Sequence, residues 1–137
     1  MTILLSDVVA QVESGGCLDA IRYEPTYTPS ENAVNNAIKY ASGCWISATT
    51  AKMLCMTSWG KYQIMGSNLY GVMSYQKTLV NFLRSTYDQY AIFNEFIAKG
   101  GFTDQPINGM DSAELNRFAL YYNGSIIYAA SLKAVKV

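Results

Sequence analysis

Glu13 ends an apolar stripe. Leu5, Val8, Val9 and Val12 recur at helical spacing around Gln11-Val12-Glu13-Ser14-Gly15-Gly16. The pattern predicts a helix from about Asp7 to Ser14, with Ser6 as N-cap and Asp7 at the positive end of the dipole. Gly15 and Gly16 supply the left-handed backbone that stops it. A carboxyl at that end meets the negative pole of the helix, which disfavours ionisation. Such a group suits a general acid, which must hold a proton and give it up. By itself, a glutamate there is also an ordinary solvated helix end.

Two further stretches share this build. Ser58-Trp59-Gly60-Lys61-Tyr62-Gln63-Ile64-Met65 and Phe118-Ala119-Leu120-Tyr121-Tyr122-Asn123-Gly124-Ser125 each join a helical pattern to a glycine, with polar residues at the junction. Taken singly, Gln63 reads as a satisfied polar residue, Tyr122 as core and Asn123 as a cap. Met53, Met56, Met65, Leu115 and Phe118 read as core packing.

The chain has no histidine, which excludes Ser-His-Asp triads, Cys-His dyads and His-ligated zinc. Cys17, Cys44 and Cys55 are odd in number and lack a C-x-x-C spacing, so neither a zinc site nor a full disulfide framework is indicated. We expect three buried free thiols, with one disulfide as the alternative, and no metal or cofactor. Ten basic and ten acidic residues cancel, which argues against nucleic acid as a partner. A neutral polymer remains open, and eleven tyrosines and two tryptophans suit the C–H faces of sugars. The N-terminus makes a poor signal peptide, and no apolar run reaches membrane-spanning length. We therefore expect synthesis in a cytoplasm without a leader, and no membrane insertion.

In order and character the three stretches resemble the lysozyme-like lytic transglycosylases and the related phage N-acetylmuramidases, enzymes that cleave peptidoglycan. Glu13-Ser14 matches that family's helix-ending E-S. The stretch from Ser58 to Met65 is similar to its S-W-G-x-x-Q-[VI]-M segment, and Tyr122-Asn123-Gly124 to its A-Y-N-G. Ala20-Ile21-Arg22-Tyr23-Glu24-Pro25-Thr26-Tyr27 resembles a segment that follows E-S-G-G in phage members. The resemblance spans about residues 8 to 134. Lys61 and Tyr62 replace the usual Leu and Met or Gly, and Tyr121 replaces a small Ala, so the groove beside them is expected to differ in shape.

The resemblance implies cleavage of the β-1,4 bond between N-acetylmuramic acid and N-acetylglucosamine, with Glu13 as catalytic acid. Apolar cover from Tyr122 or Trp59 would raise its pKa further. It also implies that Ser14 orients Glu13 or the substrate, that Gln63 and Asn123 bind sugar, and that Gly60 permits close backbone approach. Tyr122 would position Glu13 or stabilise developing positive charge. Two-carboxylate glycosidases need a second acid. Asp19 and Glu24 are candidates, and neither sits in a motif that fixes it opposite Glu13. Glu24 reads first as a salt bridge to Arg22 or a loop hydrogen bond; the resemblance, whose matching segment often keeps this acid, implies instead a contact near the cleft. The family's transglycosylases instead use one glutamate as acid and then base, with the substrate's C6 hydroxyl closing a 1,6-anhydro ring. That scheme is the leading expectation, in a phage protein acting on peptidoglycan strands during entry or lysis, with other virion proteins as further partners. Hydrolysis, or a non-catalytic virion subunit with a lysozyme-like fold, stands beside it.

One mainly α, lysozyme-like domain over residues 1–137 must position these residues. Beyond the first helix we expect an extended loop over 17–29 and helices from Ser30 to about Ala41 and Ser47 to Met56. A turn at Gly60 leads to a short helix. Further helices are expected from Tyr75 to Arg84, capped by Ser74, and from Thr86 to Lys99. Another opens at the capping pattern Asp111-Ser112-Ala113-Glu114, and a last one covers Ile126 to Val135.

Overall fold

The apolar stripe of the first helix is real, and it builds the fold outward from there. In the computed structural model, which describes residues 2–135, α1 spans Leu5–Ser14 and buries Leu5, Val8 and Val9. Gly15 closes it at φ 65°. Ser6 is not its N-cap. Leu4 takes that position without a side-chain bond, and Ser6 lies buried one residue inside the helix. The open end of α1 is satisfied from across the chain. Asp104 accepts the Ser6 N–H at 2.8 Å and the Ser6 hydroxyl at 2.7 Å, and the Gln105 carbonyl accepts the Leu5 N–H at 2.8 Å. A long-range carboxylate thus does the capping that local sequence assigned to Ser6.

The helices α2 (Glu31–Tyr40) and α3 (Ala48–Cys55) start after Ser30 and Ser47, whose hydroxyls accept the N–H groups of Ala33 and Thr50. The region between α1 and α2 is not all loop. It contains β1 (Ile21–Tyr23), which pairs with β2 (Thr57–Trp59), and β2 pairs with β3 (Ile64–Met65) in an antiparallel sheet of order β1-β2-β3. The turn expected at Gly60 closes a hairpin, and the short helix expected beyond it is the π-helical turn at Asn68–Val72. Strands of two or three residues are too short to show alternation, so their signal is absent from the sequence.

The next helix, α4, is Leu79–Arg84 and is capped by Thr78, not Ser74. Ser74 instead sits at φ 50° in the turn before it. The long helix α5 (Thr86–Lys99) has the expected bounds, with Ser85 accepting the Asp88 N–H. It buries Gln89, Ile92, Phe93 and Ile97, a stripe at helical spacing that runs through the core. Asp111 caps α6 (Ser112–Asn123) by accepting the Glu114 N–H at 2.8 Å. The last helix, α7 (Tyr128–Lys133), is shorter than expected and packs on both α6 and α1.

The mainly α, lysozyme-like expectation holds, with the small sheet added. Among the methionines read as core, Met53 is half exposed, whereas Leu115 and Phe118 are buried. Of the three thiols only Cys55 is buried; Cys17 and Cys44 are exposed and unpaired.

Candidate active site

Where α1, the sheet, α5 and α6 meet, they line an open cavity of about 570 Å³. Glu13 and Glu24 both face it, with Arg22, Ser58, Gln63, Tyr122 and Asn123 around them. Five of the seven residues singled out for the site, Glu13, Glu24, Gln63, Tyr122 and Asn123, share this cavity, although they come from distant parts of the chain. The size suits a small chain of sugar rings.

Glu13 is half-buried on the last turn of α1. Burial pushes its pKa above the ordinary carboxylate range; a hydrogen bond from Tyr128 and the charge of Arg22 pull it back, and Glu24 adds to the rise. Tyr128 donates its hydroxyl to Oε1 of Glu13 at 3.1 Å. The expected apolar cover comes only in part from the expected residues. Tyr122 lines the cavity, but Trp59 turns away and donates its indole N–H to the Leu54 carbonyl at 3.0 Å.

Tyr122 does not bond to Glu13. Its hydroxyl donates to the Tyr62 carbonyl, and burial raises its pKa far above the usual phenol value. Ser14 and Gly60 do not line the cavity. The Ser14 hydroxyl donates to the Lys61 carbonyl at 2.8 Å, which ties the end of α1 to the hairpin turn. Gly60 makes that turn at φ 82°, and a Cβ there would lie 2.4 Å from the side-chain oxygen of Gln89. Its lack of a side chain serves the hairpin.

Gln63 reaches the cavity with its amide already engaged. Nε2 donates to the Gly60 carbonyl at 2.9 Å and to the Ala20 carbonyl at 3.3 Å, and Oε1 accepts the Ser58 hydroxyl at 2.7 Å. These bonds knit the hairpin to the chain before β1. Asn123 is exposed at the end of α6 beside the cavity, and among the described residues its amide makes no hydrogen bond.

The two candidate partner carboxylates separate cleanly. Asp19 accepts the Cys17 thiol at 3.0 Å and lines a different groove, with Val80 and Arg84. Glu24 lies on the same cavity as Glu13, and its Oε1 accepts the Arg22 Nε–H at 2.7 Å. Both sequence readings of Glu24, salt bridge and cleft residue, are thus present together. β-pairing is what delivers it, because the Glu24 N–H continues the β1–β2 ladder by donating to the Met56 carbonyl at 2.8 Å.

The departures from the family pattern have local causes. Tyr62 is buried and stacks on Phe93, with ring centres 4.4 Å apart. Tyr121 fits because position 100 is a glycine, where a Cβ would come within 2.7 Å of the ring. Its hydroxyl donates to the Phe96 carbonyl at 2.6 Å, and both rings line the cavity.

The N-acetylmuramidase family profile matches residues 28–134, well over half of the chain. The chain belongs to the N-acetylmuramidase family. It is a peptidoglycan-cleaving enzyme. An endolysin of Enterobacteria phage PRD1 is 34% identical over 138 residues, a stretch covering 94% of this chain and 91% of that protein. No solved structure matches. The profile begins after Glu13 and Glu24, so the case for those two positions rests on the geometry.

Two residues that support the cavity were not singled out from the sequence. Tyr128 reaches Glu13 from 115 residues away, and only the docking of α7 on α1 brings it there. Gln89 is fully buried in α5. Its Nε2 donates to the carbonyls of Leu18 at 2.8 Å and Phe82 at 3.0 Å, and its Oε1 accepts the Lys61 N–H at 2.8 Å. A polar residue at a core position of the α5 stripe was the available sign. No helix among the described residues is long and apolar enough to cross a membrane.

Proposed function

We propose that this chain is a single catalytic domain that cleaves the β-1,4 bond between N-acetylmuramic acid and N-acetylglucosamine, with Glu13 as general acid and Glu24 as the second carboxylate. The observation that carries this reading is Glu13 itself, a half-buried carboxyl on a glycan-sized cavity whose surroundings favour the protonated form. Glu13 gives its proton to the leaving glycosidic oxygen. Glu24, oriented by Arg22, takes a proton from the attacking water, and the product keeps an ordinary reducing end. Asn123 offers a free amide to the sugar, and Tyr122 and Gln63 shape the wall. Ser14 and Gly60 act through the hairpin turn to which the Ser14 hydroxyl ties the end of α1.

A second reading is favoured by the Arg22 pair, which already occupies Oε1 of Glu24. Here Glu13 acts alone, as acid and then as base on the substrate's C6 hydroxyl, and leaves a 1,6-anhydro end. The similarity to an endolysin of a phage supports a role in opening the wall of an infected bacterium.

Two measurements test this. In a zymogram, wild type clears peptidoglycan and Glu13→Gln does not; clearing by both refutes the role of Glu13. Mass spectrometry of the digest separates the two routes. Reducing ends, lost in Glu24→Gln, support hydrolysis. Ends one water lighter, with Glu24→Gln still active, support transglycosylation.

A further inference from the structure

The cavity that holds Glu13 has two unlike walls. Arg22, Glu24 and Gln63 bring charge and hydrogen-bonding groups from the sheet and its hairpin, whereas α5 and α6 bring the rings of Phe96 and Tyr121. Both rings are half-buried. Tyr121 is held from several directions. Its hydroxyl donates to the Phe96 carbonyl at 2.6 Å, and its ring centre lies 5.2 Å from that of Phe96, at 33°, and 5.8 Å from that of Phe102. Gly100 leaves the space that the ring occupies. A phenol has one hydrogen to give, and here the protein takes it. Burial raises the Tyr121 pKa, so the hydrogen stays in that bond. What Tyr121 leaves for a ligand is its ring, already fixed in place.

We propose that Phe96 and Tyr121 form a sugar-stacking subsite, which takes the C–H face of one pyranose of the glycan strand bound in the cavity. The inference rests on the reading of the cavity as a glycan cleft. Both sugars of the peptidoglycan repeat set their ring substituents equatorial, which leaves axial C–H bonds on the ring faces. The negative face of an aromatic ring attracts those hydrogens, and the contact removes apolar surface from water. A prefixed ring loses little freedom when the sugar arrives. With the Tyr121 hydroxyl spent, the subsite reads a ring face and not a hydroxyl, so it accepts either sugar of the repeat. The platform is a property of this chain. Tyr121 stands where the pattern that the chain resembles has a small Ala, which would leave this part of the wall without a second ring. Gly100 is the compensating residue that makes room for it.

The test uses the peptide-free tetrasaccharide of the glycan repeat on Glu13→Gln protein, so that no turnover interferes. Proton NMR of the bound sugar is expected to show the ring hydrogens of one pyranose shifted upfield, as hydrogens above an aromatic face are. Adding Tyr121→Ala removes that shift, and adding Tyr121→Phe keeps it. In the active chain, Tyr121→Ala is expected to raise KM on soluble glycan-strand fragments about fivefold with kcat little changed, while Tyr121→Phe stays within about twofold of wild type. A tetrasaccharide that binds Glu13→Gln without an upfield shift overturns the proposal, and this arm needs no substitution at position 121. A shift that survives Tyr121→Ala, or a Tyr121→Ala KM equal to that of wild type, overturns it too. Wild-type clearing of peptidoglycan separates the two failures. If wild type clears while the sugar fails to bind or to shift, only the stacking subsite is refuted; if wild type does not clear and the sugar does not bind, the glycan-cleft reading falls and this inference with it.

Discussion

Gln89→Leu perturbs the joint on which the site rests. The side chain makes three hydrogen bonds in a fully buried position, and leucine fills similar space without making any. The Phe82 carbonyl keeps a second partner, the Ser85 N–H at 3.2 Å. The Leu18 carbonyl and the Lys61 N–H lose the bonds that Gln89 gave them. A buried backbone group left unpaired costs about 1–3 kcal/mol, and both lie partly toward solvent, so the expected loss is about 2–4 kcal/mol. With a urea dependence of about 1–3 kcal/mol/M, the unfolding midpoint falls by about 1–2 M. Peptidoglycan clearing falls too, because the Lys61 carbonyl that holds Ser14, and with it the end of α1, belongs to the same turn. Gln89→Glu is expected to be worse, since it turns a carboxylate against two carbonyls in a buried site. A Gln89→Leu midpoint within about 0.3 M of wild type would refute the claim that this amide anchors the hairpin.

Gly60→Ala is expected to cost about 2–3 kcal/mol in chemical denaturation, combining a left-handed φ of 82° with a Cβ driven into the Gln89 amide. Asp104→Ala removes three accepted hydrogen bonds, from the Ser6 N–H, the Ser6 hydroxyl and Tyr90, and is expected to lose about 2–3 kcal/mol, read as a lowered Tm. Glu13→Gln is expected to be more stable than wild type at neutral pH. Its folded-state pKa is raised, so the stabilising contribution of Glu13 is complete below the unfolded pKa and lost as pH rises through the folded one. The Tm advantage of the variant therefore shrinks toward acid pH, and an advantage that grows there would contradict this. Asp19→Asn should leave clearing unchanged, because Asp19 lies off the cavity.

Local rules carried much of the fold. Ser30, Ser47 and Asp111 cap their helices as read, Gly15 ends α1, and α5 has its expected bounds, because each depends on contacts within one turn of chain. The same rules misplaced the caps of α1 and α4. At α1, Asp104 reaches across 98 residues to the Ser6 N–H and replaces the local choice. At α4, Ser74 takes up a left-handed turn and leaves the cap to Thr78.

The candidate site divides in the same way. The sequence by itself determined that Glu13 stands at a helix end beside glycines, that histidine chemistry is absent, and that Gln63, Tyr122 and Asn123 belong to the same pattern. It fixed neither Asp19 nor Glu24 opposite Glu13, and gave only Glu24 a reading as a contact near the cleft. Tertiary structure separates them, because β1 pairs with β2 and brings Glu24 to the cavity while Asp19 remains at the loop before it. It also hands the bond to Glu13 to Tyr128 in place of Tyr122. Both outcomes turn on contacts between elements far apart in sequence, made by a two- to three-residue strand pairing and a helix docking. The affinity of such contacts lies in geometry that no single window of residues encodes.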